Sequence, residues 1–258
     1  MIITFNKYQG AGNDFVIIDN RKGVVDPSDS RLIHRLCDRR FGIGGDGLIL
    51  VSCHDQADFE VQYFNADGKL GSMCGNGGRC AAHFALRSGI AGAKQRFLAF
   101  DGLHEAFVAQ DAVRLQIGDV NEYRKIDGNY FIDTGSPHYV VFTDDLDKLN
   151  VVDEGKRLRW SSRFAPGGTN VNFVQVDDNG LSVRTFERGV EDETLACGTG
   201  VTASVIAAIL AGHRDTAPVR VRARGGDLSV DLEIRQEKFT DIWLTGPATF
   251  VFEGTIRT

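Results

Sequence analysis

The stretch ADFEVQYFNADGKLGSMCGNGGRCAAHFALRSG, residues Ala57–Gly89, has a counterpart later in the chain in LSVRTFERGVEDETLACGTGVTASVIAAILAG, residues Leu181–Gly212. Apolar and polar residues alternate over Phe59–Phe64 and over Leu181–Phe186, as a half-buried strand requires. In both stretches the strand is followed by a loop, a Cys-Gly-x-Gly sequence and an alanine-rich segment typical of a helix. This internal repeat predicts that one unit of strand, loop and helix occurs twice.

The repeat extends over much of the chain in a constant register. Three pairs of residues are separated by the same 123 positions: Gly12 and Gly135, Gly44 and Gly167, and Cys74 and Cys197. A shared offset indicates duplication, so the sequence predicts two similar α/β halves. The polar segment around Gly118–Gly128 marks the boundary between them. We therefore expect an N-terminal domain over 1–120 that carries Cys74 and a C-terminal domain over 121–258 that carries Cys197, with a final strand at about 248–258 able to return to the first domain.

Composition and charge restrict the class of protein. The 258 residues are 42% hydrophobic and 25% charged, which is typical of a globular protein with a substantial core. A net charge of −6 offers no broad basic surface for nucleic acid or anionic lipid. The N-terminus lacks the apolar core of a signal peptide, and the five cysteines are too few and too odd in number for a disulfide framework. We expect a cytoplasmic protein that binds a small metabolite and neither nucleic acid nor membrane.

The two repeat cysteines stand at the predicted starts of helices, flanked by glycines in MCGNGGRC and ACGTGVTA. Backbone N–H groups at a helix start lack intrahelical acceptors, and together with the helix dipole they favour an anion. The same field favours a thiolate over a thiol, because the cysteine pKa of about 8.5 falls to roughly 3.5–7.5 at such positions. Glycines also let a ligand carboxylate approach the backbone closely. Each loop can therefore ionise a thiol and bind a carboxylate.

Two such loops related by duplication suit the inversion of a stereocentre. We expect the halves to face each other across one cleft, with Cys74 and Cys197 on opposite sides of a bound carbon. A proton has to leave one face of that carbon and return on the other, so a thiolate and a thiol can exchange the roles of base and acid. The resting pair would hold one proton. The sequence thus predicts a cofactor-independent amino-acid epimerase.

Further polar residues of the repeat are candidates for the same site. His138 lies in Gly-Ser-Pro-His-Tyr, the second-half counterpart of Gly-Asn-Asp-Phe, and should project near the cleft. Arg188 follows Glu187 at the tip of the strand before Cys197; it offers a bidentate fork to a carboxylate, although the two could also form a solvated charge pair. Asparagine favours glycine-rich turns by itself, but four asparagines in repeat-related turns are also binding candidates: Asn13, Asn65, Asn76 and Asn170.

The remaining histidines and thiols have simpler interpretations. We expect surface or packing roles for three histidines and structural roles for three cysteines: His34, His54 and His104, and Cys37, Cys53 and Cys80.

Other chemistries fit the sequence less well. There is no Walker-type GxxxxGK sequence, no paired CxxC element and no lysine in a context typical of pyridoxal phosphate. Cys74 and Cys80 with distant histidines still leave a zinc-dependent hydrolase open. A second alternative is a metabolite-binding protein with a redox-switchable Cys74–Cys197 disulfide, and a third is a related amino-acid racemase.

These segments resemble those of a known family, the diaminopimelate epimerases, over nearly the whole chain. The resemblance is carried by KYQGAGNDFVIID, FNADGKLGSMCGNGGRC, TNVNFV, ERGVEDETLACGTG and GGDL, in the family's order. It implies an α+β fold of two pseudo-symmetric α/β domains, each a mostly antiparallel sheet wrapped around a central helix. It also implies a homodimer that interconverts LL- and meso-diaminopimelate for lysine and peptidoglycan precursors, with no pyridoxal phosphate, metal or other cofactor.

The resemblance also implies roles for individual residues. Cys74 and Cys197 match the two catalytic bases, with His138 and Glu187 as their proton-handling neighbours. The positions that match substrate contacts are Asn13, Asn65, Gly75, Asn76, Ser136, Asn170, Glu187, Arg188, Gly198 and Thr199.

Two features depart from the family's pattern. The usual Gly-Asn-Pro-His is Gly-Ser-Pro-His here, so Ser136 replaces an asparagine with a shorter side chain. The segment Glu187–Thr194 before Cys197 is one residue longer than usual and lacks its second glycine. Both changes concern the fine geometry around the substrate, whereas the two thiols and Arg188 remain in place.

Overall fold

Strands make up most of the regular structure of this protein. A computed structural model describes residues 1–71, 73–110, 112–236 and 238–258. In chain order, the strands are β1 (Ile2–Gly10), β2 (Asn13–Asp19), β3 (Gly47–Ser52), β4 (Phe59–Asn65), β5 (Lys94–Ala99), β6 (Gly102–Ala109), β7 (Ala112–Ile117), β8 (Tyr123–Ile126), β9 (Asn129–Asp133), β10 (Pro137–Phe142), β11 (Asn170–Asp177), β12 (Gly180–Glu187), β13 (Asp192–Thr194), β14 (Val219–Ala223), β15 (Gly226–Arg235), β16 (Lys238–Pro247) and β17 (Thr249–Arg257). The helices are α1 (Ser30–Cys37), α2 (Gly75–Arg87), α3 (Val151–Arg159) and α4 (Gly198–Leu210), and a 3₁₀ turn spans Ser162–Phe164.

The chain divides into two compact units. The first consists of Met1–Leu115 together with Gly246–Thr258, and the second is Gln116–Thr245. The closing strand β17 pairs antiparallel with β1 along its length, which places it in the first unit. The domain limits of 1–120 and 121–258 stay a prediction.

In the first unit the strands are ordered β17-β1-β2-β3-β4-β5-β6-β7. The pairs β2–β3 and β4–β5 are parallel, and the other neighbours in this order are antiparallel. Helix α2 packs against β1, β2, β3, β4, β6 and β17, so the sheet curves around it. Every residue from Gly75 to Ala82 is buried, whereas Leu86 and Arg87 at the C-terminal end of the helix are exposed.

The second unit repeats this topology. Its strands are ordered β8-β9-β10-β11-β12-β14-β15-β16, with β13 added beside β12. The parallel pairs are β10–β11 and β12–β14, at the same places in the order as in the first unit. Helix α4 packs against β9, β10, β11, β12, β14 and β15. The predicted α+β fold of two pseudo-symmetric units, each a mostly antiparallel sheet around a helix, is confirmed.

The duplication is visible in the strand register as well. Phe15 pairs with Gly47 in β2–β3, and His138 pairs with Asn170 in β10–β11, so both partners shift by the 123 positions found in the sequence. The match is not complete at the glycines before β3 and β11. Gly44 has a left-handed φ of +84°, but in the second unit the left-handed residue is Gly168, with φ +65°.

The sequence of α4 explains why it lies inside its sheet. GTGVTASVIAAIL is apolar around its whole circumference, and a helix of this kind has to be covered on all sides. Small residues at Ala203, Ala207 and Ala208, all fully buried, keep the helix thin enough for strands to pack closely on it.

Gly155 in α3 gives a test of this packing. Alanine favours a helix over glycine by about 1 kcal/mol. A Cβ at Gly155, however, would lie 2.4 Å from Cβ of the fully buried Phe186, and such overpacking costs about 1–3 kcal/mol or more. Gly155→Ala should therefore lower the free energy of unfolding by roughly 1–2 kcal/mol in urea denaturation. Gly118→Ala is the matched control, because a Cβ at Gly118 meets no atom within 4 Å; a G155A protein as stable as G118A would contradict the prediction.

Candidate active site

Cys74 begins the central helix of the first unit. It is the N-cap of α2, with extended backbone angles of φ −94° and ψ 123°, and Gly75 and Asn76 form the buried first turn. The amide of Gly78 donates to the Cys74 carbonyl at 2.7 Å and closes that turn. Backbone amides in the first turn of a helix point out of its N-terminal end, a position that favours an anion. The prediction that Cys74 stands at a helix start is confirmed.

Asn13 holds the sulfur of Cys74 in a defined polar environment. Its Nδ2 donates to Asp46 Oδ2 at 2.6 Å, and an ionised carboxylate only accepts hydrogen bonds. The amide orientation is therefore set, and Asn13 Oδ1 faces Cys74 Sγ at 3.5 Å, where the thiol donates. Asp46 also accepts from the amide of Asp14, which fixes the start of β2.

A balanced set of charges supports Asn13. Asp14 lies 2.6 Å from Lys7 and 2.6 Å from Arg39, and Arg39 lies 2.7 Å from Asp46. Burial raises the pKa of Asp14, but the hydrogen bonds and charges of Arg39 and Lys7 outweigh it and bring that pKa to about 2. In this network the two cationic side chains, Lys7 and Arg39, lie against the two carboxylates, Asp14 and Asp46.

Cys197 begins the central helix of the second unit in the same way. It is the N-cap of α4, with Gly198 and Thr199 in the first turn. Its sulfur lies 3.4 Å from Thr199 Oγ1, and that hydroxyl is 2.9 Å from Nε2 of His138. The prediction of a helix start at Cys197 is confirmed, and one hydroxyl connects the thiol to the imidazole.

His138 is fully buried on β10 and is held from its other nitrogen. Asn172 Nδ2 lies 3.0 Å from Nδ1, and Asn172 Oδ1 accepts from Thr185 Oγ1 at 2.9 Å. Burial and the charge of Arg188 lower the pKa of His138 to about 3, so the ring is neutral near pH 7. With Asn172 donating to Nδ1, the proton of the neutral ring is on Nε2 and is donated to Thr199. The Thr199 hydroxyl can then donate to Cys197 Sγ.

Ser136 is part of a hydrogen-bond network around Asn170. Asn170 Nδ2 donates to Ser136 Oγ and to the Pro137 carbonyl, both at 2.9 Å, and its Oδ1 accepts from the amide of Arg188 at 2.8 Å. The shorter side chain that departs from the family pattern therefore has a defined partner. It helps to hold the loop that carries Arg188.

The longer loop before Cys197 is held by a buried arginine. Glu191 has a left-handed φ of +59°, and its Oε1 accepts from the Gly189 amide at 3.0 Å. Arg159 donates to the same oxygen from Nε at 3.2 Å and from Nη2 at 3.1 Å, and to the Gly167 carbonyl from Nη1 at 2.9 Å. A Cβ at Gly168 would overlap Arg159 Nη1, which explains the glycine there. Arg159 thus ties together the two loops on either side of Asn170.

The structure does not connect every candidate residue to a thiol. Asn65 ends β4 with an exposed side chain, and among the described residues no hydrogen bond joins it to Cys74. Glu187 ends β12 half-buried, beside Asp192 of β13, and the next residue, Arg188, is exposed.

Comparison with known proteins identifies the family. The sequence profile described as diaminopimelate epimerase matches residues 5–121 and 130–251. The diaminopimelate epimerase of Flavobacterium psychrophilum is 47% identical over 252 residues, which cover 97% of this chain and 98% of the relative. That of Chlorobaculum tepidum is 44% identical, over 96% and 98% of the two chains. This chain belongs to the diaminopimelate epimerase family.

Solved structures extend the comparison at the level of the fold. A phenazine biosynthesis protein of the PhzF family from Bacillus anthracis superposes with a TM-score of 0.78 over 100% of both chains, at 16% sequence identity. At that identity the likeness concerns the fold alone.

Sequence reasoning missed residues that orient the candidates. Asn172 orients His138, and Asp46 orients Asn13. Asn172 had a signal, because it lies two positions after Asn170 and therefore on the same side of a strand. Asp46 had none, since its contact with Asn13 is made by residues 33 positions apart.

The other thiols and the alternative chemistries can also be placed. Cys80 is fully buried, which confirms the expectation that it belongs to the core, and Cys53 is exposed. None of the five cysteines, all of which are described, is in a disulfide. In the described ranges no cluster of three His, Cys, Asp or Glu side chains is placed to hold a metal ion, and no helix is long and apolar enough to span a bilayer. The redox-switch and zinc-hydrolase alternatives gain no support.

Burial of neutral His138 predicts a pH dependence of stability. The folded pKa of about 3 lies below the unfolded value of about 6.5, so between these values the unfolded chain binds one more proton than the folded chain. The contribution of His138 is complete above pH 6.5 and is lost as the pH falls, by about 1.4 kcal/mol per pH unit. From pH 7 to pH 5, wild type should lose about 2 kcal/mol more unfolding free energy in urea than His138→Asn. The prediction would be wrong if wild type and His138→Asn lost the same unfolding free energy, or if NMR showed an imidazolium signal of His138 at pH 5.

Proposed function

We propose that this protein is a diaminopimelate epimerase, an isomerase that interconverts LL- and meso-diaminopimelate by moving the proton of one α-carbon. The activity belongs to the synthesis of lysine and of peptidoglycan precursors and uses neither pyridoxal phosphate nor a metal. One observation carries the proposal: Cys74 and Cys197 cap the central helices of two units with the same strand topology. The assignment of diaminopimelate as the substrate comes from membership of the family.

The reaction is a two-base proton transfer. The thiolate of one cysteine removes the α-proton, so the C–H bond breaks and an S–H bond forms. The thiol of the other cysteine delivers its proton to the opposite face of the carbon, so its S–H bond breaks and a new C–H bond forms. The two sulfurs end with their protonation states exchanged. The reverse reaction uses the same groups in opposite roles, as an isomerase requires.

The carbanion is stabilised through the neighbouring carboxylate. Negative charge that develops at the α-carbon spreads onto the carboxylate oxygens, and backbone amides aimed at those oxygens lower the barrier. The amide donors in the proposal are those of Gly75, Asn76, Gly198 and Thr199, at the two helix starts. Their support is the burial of Gly75, Asn76 and Gly198, since amides shielded from water interact more strongly with an anion.

The remaining candidates orient the substrate or the bases. His138 acts through the Thr199 hydroxyl, which donates to Cys197 in the thiolate form and accepts from the thiol. Glu187 is the second proton-handling neighbour. Binding of the substrate's other polar groups is assigned to Asn13, Asn65, Ser136, Asn170, Glu187 and Arg188. Arg188 is the cation of this set, and its exposure leaves the guanidinium available to a carboxylate.

The cellular setting is part of the same proposal. The enzyme works in the cytoplasm as a homodimer, with diaminopimelate as its small-molecule partner. The acidic charge of −6 is consistent with a protein that binds neither nucleic acid nor anionic membranes. The proposal of a homodimer rests on the family resemblance. Light scattering on the purified protein tests it.

Proton exchange in heavy water tests the activity. With LL-diaminopimelate in deuterium oxide, the enzyme should form the meso isomer and place deuterium at the inverted α-carbon, because the donating thiol carries solvent deuterium. Mass spectrometry and chiral chromatography measure both products. A panel of other amino acids separates this activity from that of a related racemase. Absence of α-deuterium from diaminopimelate would remove the substrate assignment.

Single cysteine variants test the two-base mechanism. Cys74→Ala and Cys197→Ala should each lower kcat for epimerisation by at least about a hundredfold, since each removes one acid-base group. Cys53→Ala is the matched control, because that thiol is exposed and outside both helix starts. Its rate should equal that of wild type. Full activity in either of the first two variants would show that one base is sufficient.

A further inference from the structure

Arg79 is a fully buried cation in the first turns of α2. Its side chain makes three hydrogen bonds: Nη2 to Asn76 Oδ1 at 2.7 Å, Nη1 to the Gly75 carbonyl at 3.3 Å and Nε to the Pro247 carbonyl at 3.4 Å. All three acceptors are neutral oxygens. Two of them belong to the residues that directly follow Cys74, so the guanidinium lies against the helix start.

A buried charge without a counter-charge is costly, and buried arginines are usually paired. Among the described residues, no carboxylate forms an ion pair with Arg79. Burial lowers the pKa of Arg79, and the nearby sulfurs of Cys80 and Cys74 raise it. A guanidinium nevertheless remains protonated in proteins. Within the part of the first unit that the structure describes, no carboxylate compensates this positive charge at the helix start.

Among the described residues, the ionisable groups that approach α2 from other elements have partners other than Arg79: Glu253 of β17, for example, lies 4.0 Å from Arg87. The network of Lys7, Asp14, Arg39 and Asp46, which reaches Cys74 through Asn13, is itself balanced. Tyr8 on β1 lies against His83, further along the helix.

Cys80, the neighbour of Arg79 in the helix, and Tyr8 on β1 are the next groups that could ionise. Burial raises the pKa of Tyr8, so the phenol stays protonated at neutral pH. Burial likewise raises the pKa of Cys80 to about 12, so this thiol, next to Arg79 in the helix, also stays protonated. Cys74 remains as the group near Arg79 that can become an anion.

We infer that Arg79 is a positioning residue for the proposed reaction: its buried guanidinium stabilises the thiolate of Cys74 and, through Asn76 and Gly75, fixes the helix start on which that thiolate lies. The equivalent position in the second unit, 123 residues on, is Thr202, whose hydroxyl donates to the Gly198 carbonyl at 3.1 Å. The two helix starts thus differ by one full charge.

The inference deepens the proposed function, because it concerns the proton equilibrium of one of the two thiols, but its test does not need turnover. The rate of alkylation of Cys74 by iodoacetamide follows the thiolate fraction, and peptide mass spectrometry reads Cys74 and Cys197 separately. Deuterium exchange is measured in parallel on wild type. If wild type shows no deuterium exchange, the substrate assignment is wrong. The role of Arg79 is decided separately, by the alkylation profile of Cys74.

Arg79→Gln should raise the pH midpoint of Cys74 alkylation by about one unit or more, since a close opposite charge shifts a pKa by roughly 1–3 units. The profile of Cys197 in the same sample should not move. Arg79→Lys restores the charge and should recover at least half of the shift. Arg87→Gln is the matched control, because it removes an arginine from the far end of the same helix, where it lies over Phe250.

Two outcomes would overturn the inference. One is an unchanged Cys74 profile in Arg79→Gln protein that circular dichroism shows to be folded. The other needs no variant: a buried charge is screened little by salt, so the wild-type midpoint should stay constant between about 20 mM and about 500 mM KCl. A midpoint that rises with salt would assign the effect to exposed cations such as Arg39, which is 59% exposed.

Discussion

The constraint on which this structure depends is the burial of most of a central helix by a curved sheet, which occurs once in each unit. The side chains of a helix that is covered by strands cannot reach a ligand. The backbone N–H groups at its C-terminal end already donate to carbonyls within the helix. Only at the N-terminal end do backbone N–H groups point out of the helix. Small residues such as Gly75 and Gly198 let the chain turn there, and the residue that precedes each of them, Cys74 or Cys197, is the first position outside the helix. The location of Cys74 and Cys197 at the helix starts follows from how the cores are packed.

Duplication gives the two units one topology, but their helix starts have different surroundings. Around Cys74 the structure uses charges: a balanced ion network that holds Asn13, and the buried Arg79 behind the first turn. Around Cys197 it uses neutral hydrogen bonds that run through Thr199 to a neutral His138. A fixed cation favours the thiolate without having to reorient when the thiol loses its proton. A hydroxyl has to rotate, because it accepts from the thiol and donates to the thiolate.

The sequence was sufficient for the fold because the fold is encoded in short spacings. Alternating strands, glycines and the offset of 123 are local or periodic signals, and Phe15–Gly47 and His138–Asn170 pair as that offset requires. The supports of the candidate site were largely invisible, since each joins residues distant in sequence. The contact of Asn172 with His138 spans 34 positions, and that of Arg159 with Glu191 spans 32. Even a repeated glycine can mislead: Gly44 has its left-handed counterpart at Gly168, one position beyond Gly167.

The difference between the helix starts bears on how a two-thiol epimerase returns to its starting state. In the proposed reaction each turnover leaves the proton on the opposite sulfur, so the next molecule of the same isomer needs the pair to re-equilibrate. Both one-proton forms of the pair are well populated only if they are similar in free energy. Identical surroundings would ensure this by symmetry, but here the units differ, and a fixed cation beside Cys74 has to be matched by other means at Cys197. A neutral His138 that donates through Thr199, with the charge of Arg188 nearby, is a set of interactions of the right sign.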